Sequence, residues 1–269
     1  MPSSSFAHKK SLGQNFLINP EVMRRSLEAG ELDADDVVLE IGPGQGALTR
    51  SLLSSPCRFV HAVEIDERLA EWLSPLTHEY PGRFQLTWGN ALLSDLAGLS
   101  PVPTKVLANI PYNITTELIW KILIELAPLG LRRLILLVQK EAAERLRADA
   151  GTKDRGPLGV TLEMMGTTAP VMDVSPGSFS PPPKIWSQLL CVDITGERAL
   201  AADPKWRRLL ASAFAQRRKK LVNNLLRAGF QREFIETTLS FAGIEADVRA
   251  EELTRAQWLA LYRSLNKIE

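Results

Sequence analysis

Short apolar runs alternate with amphipathic segments through the first 180 residues of this chain. Such alternation is typical of a mostly parallel sheet that helices cover on both faces. The runs that we predict as strands are Val37–Ile41, Phe59–Glu64, Phe84–Trp88, Lys105–Asn109 and Leu134–Gln139. The segments that we predict as helices lie near 20–29, 46–54, 67–78, 115–127 and 140–149. The pattern therefore predicts an α/β domain.

The pattern changes after residue 150. Gly151–Gly159 is polar and rich in Gly and Pro, which predicts a loop. Further elements follow at Val160–Met165, Val171–Val174 and Gln188–Ile194, of which the last two read as strands. The final part is entirely helical in pattern, with segments at Pro204–Ala215, Arg218–Ala228, Arg232–Ala242 and Thr254–Asn266. We expect an α/β domain over residues 1–198 and a small all-helical domain over residues 199–269.

The net charge of +1 hides an asymmetry between the two parts of the chain. Residues 1–175 carry 17 Lys and Arg against 21 Asp and Glu, whereas residues 176–269 carry 15 against 10. Pro204 to Arg232 contains nine basic residues and no acid. This run indicates either a polyanion partner or an ordinary solvated helix face. The candidate residues for contact with such a polyanion are Arg207, Arg208, Arg217, Arg218, Lys219 and Lys220.

Composition limits the class of protein. At 45% hydrophobic and 23% charged residues, the chain has ordinary globular values, and its apolar runs stay short of the roughly 20 residues of a membrane span. The first residues lack the apolar core of a secretory signal. Cys57 and Cys191 fit reduced thiols, and the three histidines have no metal-ligand spacing. We expect a cytoplasmic protein without a metal ion.

A glycine-rich turn follows the first predicted strand, in the sequence Gly42-Pro43-Gly44-Gln45-Gly46. Nucleotides bind at the carboxyl end of such a strand in doubly wound sheets. The spacing differs from the dinucleotide fingerprint and lacks a P-loop lysine, which argues against NAD and ATP. Glu64 ends the second strand 22 residues after Gly42 and suits ribose hydroxyls, although it could instead cap the next helix. With Asn90 after the third strand, these residues resemble the S-adenosylmethionine site of class I methyltransferases.

The fourth strand ends in Asn109-Ile110-Pro111-Tyr112. Proline has no backbone donor and a fixed φ, and it pushes the preceding Ile110 towards an extended conformation. The tetrapeptide therefore predicts a rigid cluster of hydrogen-bond acceptors beside an aromatic ring. A planar amino group, such as the exocyclic amine of adenine, is the ligand that such a cluster suits.

Four segments together resemble the KsgA-type small-subunit rRNA adenine N6-dimethyltransferases, which are related to the Erm enzymes. The segments are Lys9–Leu17, Asn109–Tyr112, Phe179–Ser187 and Ala213–Leu225. The resemblance covers nearly the whole chain. It implies a Rossmann-like class I methyltransferase domain with a mostly parallel seven-stranded sheet, followed by a helical rRNA-binding domain.

The resemblance also implies site residues and partners. The cofactor positions are Asn15, Leu17, Gly42, Glu64, Asn90 and Asn109. Tyr112 and Phe179 would sandwich the target base. The substrate would be two adjacent adenosines in the loop of the 3′-terminal hairpin of 16S rRNA within the 30S subunit, with a role in ribosome biogenesis. We expect a monomer.

Four positions, two of them in one loop, depart from the family pattern. Asn90 stands where the family usually has Asp, and its amide oxygen can accept a hydrogen bond from the adenine amine of the cofactor. Arg155 and Gly159 replace an aromatic residue and a serine in the loop near residue 155. Trp186 occupies a position that is often polar or acidic.

The expected chemistry is preorganisation rather than base catalysis. The Asn109 side-chain oxygen and the Ile110 carbonyl would accept hydrogen bonds from both N–H groups of the target amine. Three alternatives stay open at this point. They are Erm-like methylation of large-subunit rRNA, a ribosome-assembly factor that binds immature subunits, and an amino-group methyltransferase acting on DNA or protein.

Overall fold

The computed structural model describes residues 14–265. The strands are β1 (Phe16–Leu17), β2 (Val37–Ile41), β3 (Phe59–Glu64), β4 (Phe84–Trp88), β5 (Lys105–Asn109), β6 (Arg133–Gln139), β7 (Gly166–Val174), β8 (Phe179–Ser180) and β9 (Ser187–Ile194). The helices are α1 (Pro20–Gly30), α2 (Ala47–Leu53), α3 (Ala70–Glu79), α4 (Thr115–Leu126), α5 (Lys140–Leu146), α6 (Pro157–Met165), α7 (Pro204–Ala213), α8 (Leu221–Arg227), α9 (Arg232–Phe241) and α10 (Arg255–Leu265). The chain forms two compact units, which are described separately.

The first unit comprises residues up to Ala143 together with Ala169–Asp193. Its seven-stranded sheet has the order β4-β3-β2-β5-β6-β9-β7. Strands β2 to β6 are parallel, and β9 runs antiparallel to β6. Every residue of β2 is buried, as expected for a central strand covered on both faces. The predicted α/β fold with a mostly parallel seven-stranded sheet is therefore confirmed.

The strand predictions agree closely with the structure. The five strands predicted up to residue 139 are all present, and Val171–Val174 is the end of the longer strand β7. The two-residue strands β1 and β8 were not predicted, because they are too short to show a period. They pair antiparallel, with Leu17 opposite Phe179.

The second unit comprises Glu144–Thr168 and the chain from Ile194 onwards. Its core contains Trp206 and Trp258, both fully buried, with ring centroids 5.9 Å apart in an edge-to-face arrangement. The Trp206 indole N–H donates to the hydroxyl of Thr161 in α6 at 3.0 Å. Helix α6 therefore belongs to this unit although it is distant in sequence from α7 to α10. The division of function at 198/199 stays a prediction.

Two loops differ from the sequence prediction. The helix predicted from Arg218 begins only at Leu221, because the Asn224 amide donates to the carbonyls of Ala213 and Gln216 and closes the end of α7. The predicted loop Gly151–Gly159 ends early, since α6 begins at Pro157. The Asn266 end of the predicted last helix lies outside the described residues.

Within residues 14–265, none of the helices is both long enough and apolar enough to cross a membrane.

Candidate active site

The carboxyl ends of β2, β3, β4 and β5 border a cavity of about 270 Å³. Parallel strands bring their carboxyl ends to one edge of a sheet, which is where open α/β sheets bind ligands. Eight of the residues predicted for the site line this cavity, namely Asn15, Gly42, Glu64, Asn90, Asn109, Ile110, Pro111 and Tyr112. Residues scattered over nearly a hundred positions of sequence therefore share one volume.

The glycine turn after β2 forms the floor of this site. Gly42 and Gly44 have φ of +74° and +58°, in the left-handed region that favours glycine. The Gly42 N–H donates to the Val63 carbonyl at 3.0 Å, which ties the turn to β3. A Cβ at Gly44 would lie 2.8 Å from the Phe16 ring. Backbone therefore approaches the cavity where a larger residue would clash.

Glu64 is held as a hydrogen-bond acceptor at the end of β3. Its Oε2 accepts from the Gly44 N–H at 3.1 Å and its Oε1 from the Asp66 N–H at 2.9 Å. Burial raises the pKa of this carboxyl, and the backbone donors of Asp66 and Gly44 oppose that shift. Asp66, not Glu64, caps the following helical turn. The carboxylate oxygens retain acceptor capacity for a ligand in the cavity.

Asn90 has a defined amide orientation. Its Oδ1 accepts from the Leu92 N–H at 3.0 Å, in a turn after β4. The other end of the amide is the –NH₂ group, which only donates. We predicted an oxygen acceptor here. The structure adds a donor, so Asn90 can present both an –NH₂ group and one remaining oxygen lone pair.

Asn109 also has a defined orientation, which bears directly on the chemistry. Its Nδ2 donates to the backbone carbonyl of Asn15 at 3.1 Å. Because a carbonyl only accepts, this contact assigns the amino end of the amide to Asn15. The Oδ1 atom is then the end that is left to accept. The sequence alone could not supply this orientation, since Asn15 lies 94 residues away.

The residues after Asn109 are held by separate contacts. The Ile110 N–H donates to the Leu137 carbonyl of β6 at 3.1 Å, and its side chain is buried. The Tyr112 hydroxyl lies 2.8 Å from the hydroxyl of Ser187. Burial raises the pKa of Tyr112, and the Ser187 contact partly offsets this effect. A neutral, anchored phenol therefore borders the cavity.

Two predicted site residues do not line this cavity. Phe179 is only 3% exposed and belongs to the hydrophobic core of the first unit. Leu17 borders a neighbouring cavity of about 230 Å³ instead. The pairing of β1 with β8 places both residues together. Stacking of Phe179 on a base stays a prediction, and residues Lys9 to Gly13 of the N-terminal motif lie outside the described residues.

Sequence reasoning missed three residues near the site. Ile65 lines the cavity and is 48% exposed, so it offers an apolar surface beside Glu64. Gln14 also lines the cavity and donates to Asp66 at 2.6 Å. Glu40, on β2, borders the neighbouring cavity, and burial raises its pKa to about 8. An apolar residue directly after a strand-end acid is the one signal that could have indicated Ile65.

The predicted RNA-binding residues all lie in the second unit and are exposed. Arg207 and Arg208 are on α7, and the Arg208 guanidinium lies 5.2 Å from the centroid of the Phe230 ring. Arg218, Lys219 and Lys220 occupy the loop before α8 rather than a helix. Arg217 donates at 2.9 Å to the carbonyls of Lys153 and of Arg155.

Arg155 has a structural role in the same unit. It is 2% exposed, and its guanidinium donates to Glu163 at 2.5 Å and to the carbonyl of Ala148 at 3.0 Å. Arg217 in turn holds the backbone of this segment. Arg155, which departs from the family pattern, therefore holds its own loop in place through contacts within the second unit.

Comparison with known proteins identifies the family. A family model described as "Ribosomal RNA adenine dimethylase" matches residues 5–267. A curated relative from Synechococcus sp. (strain CC9311), "Ribosomal RNA small subunit methyltransferase A", is 38% identical over 100% of this chain and 99% of its own length. The protein of the same name from Thermosynechococcus vestitus is 40% identical over 97% and 98%.

Two solved structures of rRNA-modifying or adenosine-modifying methyltransferases are also similar to this chain. A dimethyladenosine transferase from Plasmodium falciparum matches with a TM-score of 0.80 and 26% identity, covering 94% of this chain and 98% of that one. The 23S rRNA methyltransferase ErmE matches with a TM-score of 0.69 and 27% identity, covering 94% and 100%. The chain therefore belongs to the ribosomal RNA adenine dimethylase family.

Proposed function

We propose that this protein transfers methyl groups from S-adenosylmethionine to the N6 amines of two adjacent adenosines in the loop of the 3′-terminal hairpin of 16S rRNA. The curated relatives that cover the full chain are named as small-subunit rRNA methyltransferases, which supports this substrate. The observation that carries the proposal is the orientation of Asn109. Its amino end is bound to Asn15, and its oxygen is the remaining acceptor.

The residues around the larger cavity fit the proposed cofactor. Glu64 would accept hydrogen bonds from the ribose hydroxyls, because its two oxygens are fixed by backbone donors. The exposed Ile65 would pack on the adenine ring, and Asn90 would bind its polar edge. The backbone of Gly42 and Gly44 would admit the rest of the molecule. S-adenosylmethionine supplies an electrophilic methyl group on its sulfonium.

The segment Asn109 to Tyr112 would bind the adenine that accepts the methyl group. The lone pair of an adenine amine is delocalised into the ring, so the amine is a weak nucleophile. Acceptance of its two N–H bonds by the Asn109 Oδ1 and the Ile110 carbonyl would favour a tetrahedral nitrogen and stabilise its developing positive charge. Tyr112 would stack on the flipped base, while Ser187 holds the phenol in place.

The basic residues of the second unit supply the rRNA-binding part of the proposal. The exposed arginines and lysines of α7 and the following loop would bind rRNA phosphates, with an affinity that falls steeply with salt. We assign methyl transfer to residues 1–198 and rRNA binding to residues 199–269. The 30S subunit as the bound particle, a monomeric state and a cytoplasmic location belong to the same proposal.

A second candidate is methylation of large-subunit rRNA, which the similarity to ErmE favours. The higher identity of the relatives named for the small subunit weighs against it. Binding to immature subunits as an assembly factor is compatible with catalysis. Methylation of DNA or protein has no support from the relatives.

The decisive experiment incubates the protein with unmethylated small subunits and labelled cofactor, followed by nucleoside analysis. We expect dimethyladenosine at two adjacent positions in the 3′-terminal hairpin. Unmethylated large subunits, run in parallel, should acquire no label. Label confined to large subunits would replace the proposed substrate with the second candidate.

Asn109→Ala tests the assigned role of the amide. We expect a fall of at least a hundredfold in kcat, since an oriented acceptor in a dry site is typically worth that much. The cofactor dissociation constant should change far less. Asn113→Ala is the matched control, because Asn113 lines the same cavity and the proposal gives it no role. Equal, modest losses of activity in both variants would contradict the role of Asn109.

A further inference from the structure

Trp186 is the only tryptophan among the exposed large hydrophobic residues of the described part of the chain. It is 52% exposed, next to Ile185, which is 39% exposed. Within residues 14–265 the structure gives the Trp186 ring no aromatic or cationic partner. An indole left in water keeps a large apolar surface that could be buried against a ligand. About half of the residue therefore remains available for contact with a ligand.

The position of Trp186 places it at the same edge of the sheet as the acceptor segment. It directly precedes Ser187, the first residue of β9, which pairs with Gln139 at the carboxyl end of β6. The Lys140 N–H donates to the Trp186 carbonyl at 3.0 Å, which fixes the backbone there. The neighbouring Ser187 hydroxyl contacts Tyr112, which lines the cavity. The exposed indole is thus the immediate chain neighbour of the residue that anchors the acceptor ring.

Lys184 supplies a positive charge close to Trp186 in sequence. The nearby carboxylate of Asp173 is engaged by Lys140 at 2.6 Å and by the Gln188 amide at 2.6 Å. Glu141, which follows Lys140 in sequence, is also exposed. Lys184 is exposed, two residues before the indole, and has no ion pair within residues 14–265. A positive charge beside an exposed ring is the combination that binds single-stranded nucleic acid.

We propose that Trp186 stacks on an unpaired rRNA base that adjoins the target adenosine, with Lys184 near the phosphate of that nucleotide. The inference rests on the proposed function and adds a specificity-determining contact to it. The target base would enter the cavity beside Tyr112, and its neighbour in the strand would remain outside on the indole. Such a contact would fix the register of the strand, so that the correct adenosine is presented.

The first test measures methylation of unmethylated small subunits. Trp186→Ala should lower kcat/KM about tenfold, within the fivefold to hundredfold range of losing one stacked base, mainly through KM. Trp186→Phe keeps an aromatic face and should stay within about threefold of wild type. Ile185→Ala is the matched control and should behave like wild type. The cofactor dissociation constant should be the same in all four proteins.

The second test identifies the base. Hairpin RNAs carrying the target loop are compared with versions that have an abasic nucleotide on one side of the target or the other. Trp186→Ala should weaken binding of the intact hairpin about tenfold. It should not weaken binding of the one abasic hairpin that lacks the base on which the indole stacks.

Three results would overturn the inference. If Trp186→Ala has unchanged kinetics on subunits that the wild type methylates, the inference about Trp186 fails and the proposed function stands. A loss in Trp186→Ala that persists on every abasic hairpin, or that Trp186→Phe shares in full, would mean a structural role or another partner. If the wild-type protein methylates no small subunit, the proposed function fails, and the proposed contact of Trp186 with rRNA fails with it.

Discussion

Replacing Glu40 by glutamine should flatten the dependence of stability on pH. Glu40 lies on the central strand β2 and is 2% exposed. Within residues 14–265 no donor reaches its Oε2 atom. Burial raises its pKa from 4.5 to about 8, the Thr49 hydroxyl opposes this rise, and the charge of Glu64 adds to it. Glutamine has nearly the same shape and cannot ionise.

The magnitude follows from the shift. The folded protein binds more protons at Glu40 than the unfolded chain between pH 4.5 and 8, so its stability falls as the pH rises through that window. Each pKa unit corresponds to about 1.4 kcal/mol, which makes the full cost of ionisation about 5 kcal/mol. About 4 kcal/mol of that cost falls between pH 5 and pH 9.

The assay is urea unfolding followed by circular dichroism at several pH values and constant salt. The free energy of unfolding of the wild type should fall by about 4 kcal/mol more than that of Glu40→Gln between pH 5 and pH 9. Glu117→Gln, at an exposed position of α4, controls for the removal of one carboxylate. Parallel curves for the wild type and Glu40→Gln would refute the reasoning.

Four further variants address the proposed cofactor and RNA sites. Gly44→Ala should cost more than the 1–2 kcal/mol of a left-handed alanine, because its Cβ would meet an aromatic ring at 2.8 Å. Gly82→Ala, with φ +75° and no neighbour within 4 Å, should show only the backbone cost when melting curves are compared. Glu64→Gln should raise the cofactor dissociation constant about 10-fold to 100-fold in calorimetry, since a charged acceptor is removed; unchanged affinity would exclude ribose binding. Arg218→Glu should weaken binding to small subunits and flatten its salt dependence, with the slope falling by about 0.7–0.9 for each phosphate that the variant no longer neutralises. Arg217→Glu should also lower the melting temperature, because that side chain holds the loop carbonyls. An unaltered salt slope in both variants would place the RNA footprint elsewhere.

Local pattern was sufficient for most of the fold. Buried parallel strands are continuous apolar runs, and all five strands predicted up to residue 139 are present in the structure. The glycine turn was also visible, because positive φ selects glycine whatever surrounds it. In contrast, β1 and β8 contain two residues each and have no period of their own. Their pairing depends on residues far apart in the chain, which is why it was missed.

Burial and orientation were decided by interactions that the linear sequence does not contain. Phe179 and Trp186 are both aromatic residues of one motif, yet one is in the core and the other is 52% exposed. Arg155 belongs to a polar loop and is buried, because the Glu163 carboxylate and the carbonyls of Ala148 and Leu253 accept hydrogen bonds from its guanidinium. Side-chain type alone cannot predict such outcomes, since each depends on which partner the fold brings near.

By itself, the sequence determined the order of strands and helices along the chain, the glycine turn after β2, and the rigid segment that begins at Asn109. These properties depend on residues adjacent in the chain. Only the tertiary structure decided which end of the Asn109 amide is left to accept a hydrogen bond, because that choice is made by a carbonyl 94 residues away. A planar amide with a donor at one end and an acceptor at the other has no preferred orientation until a partner binds one of them.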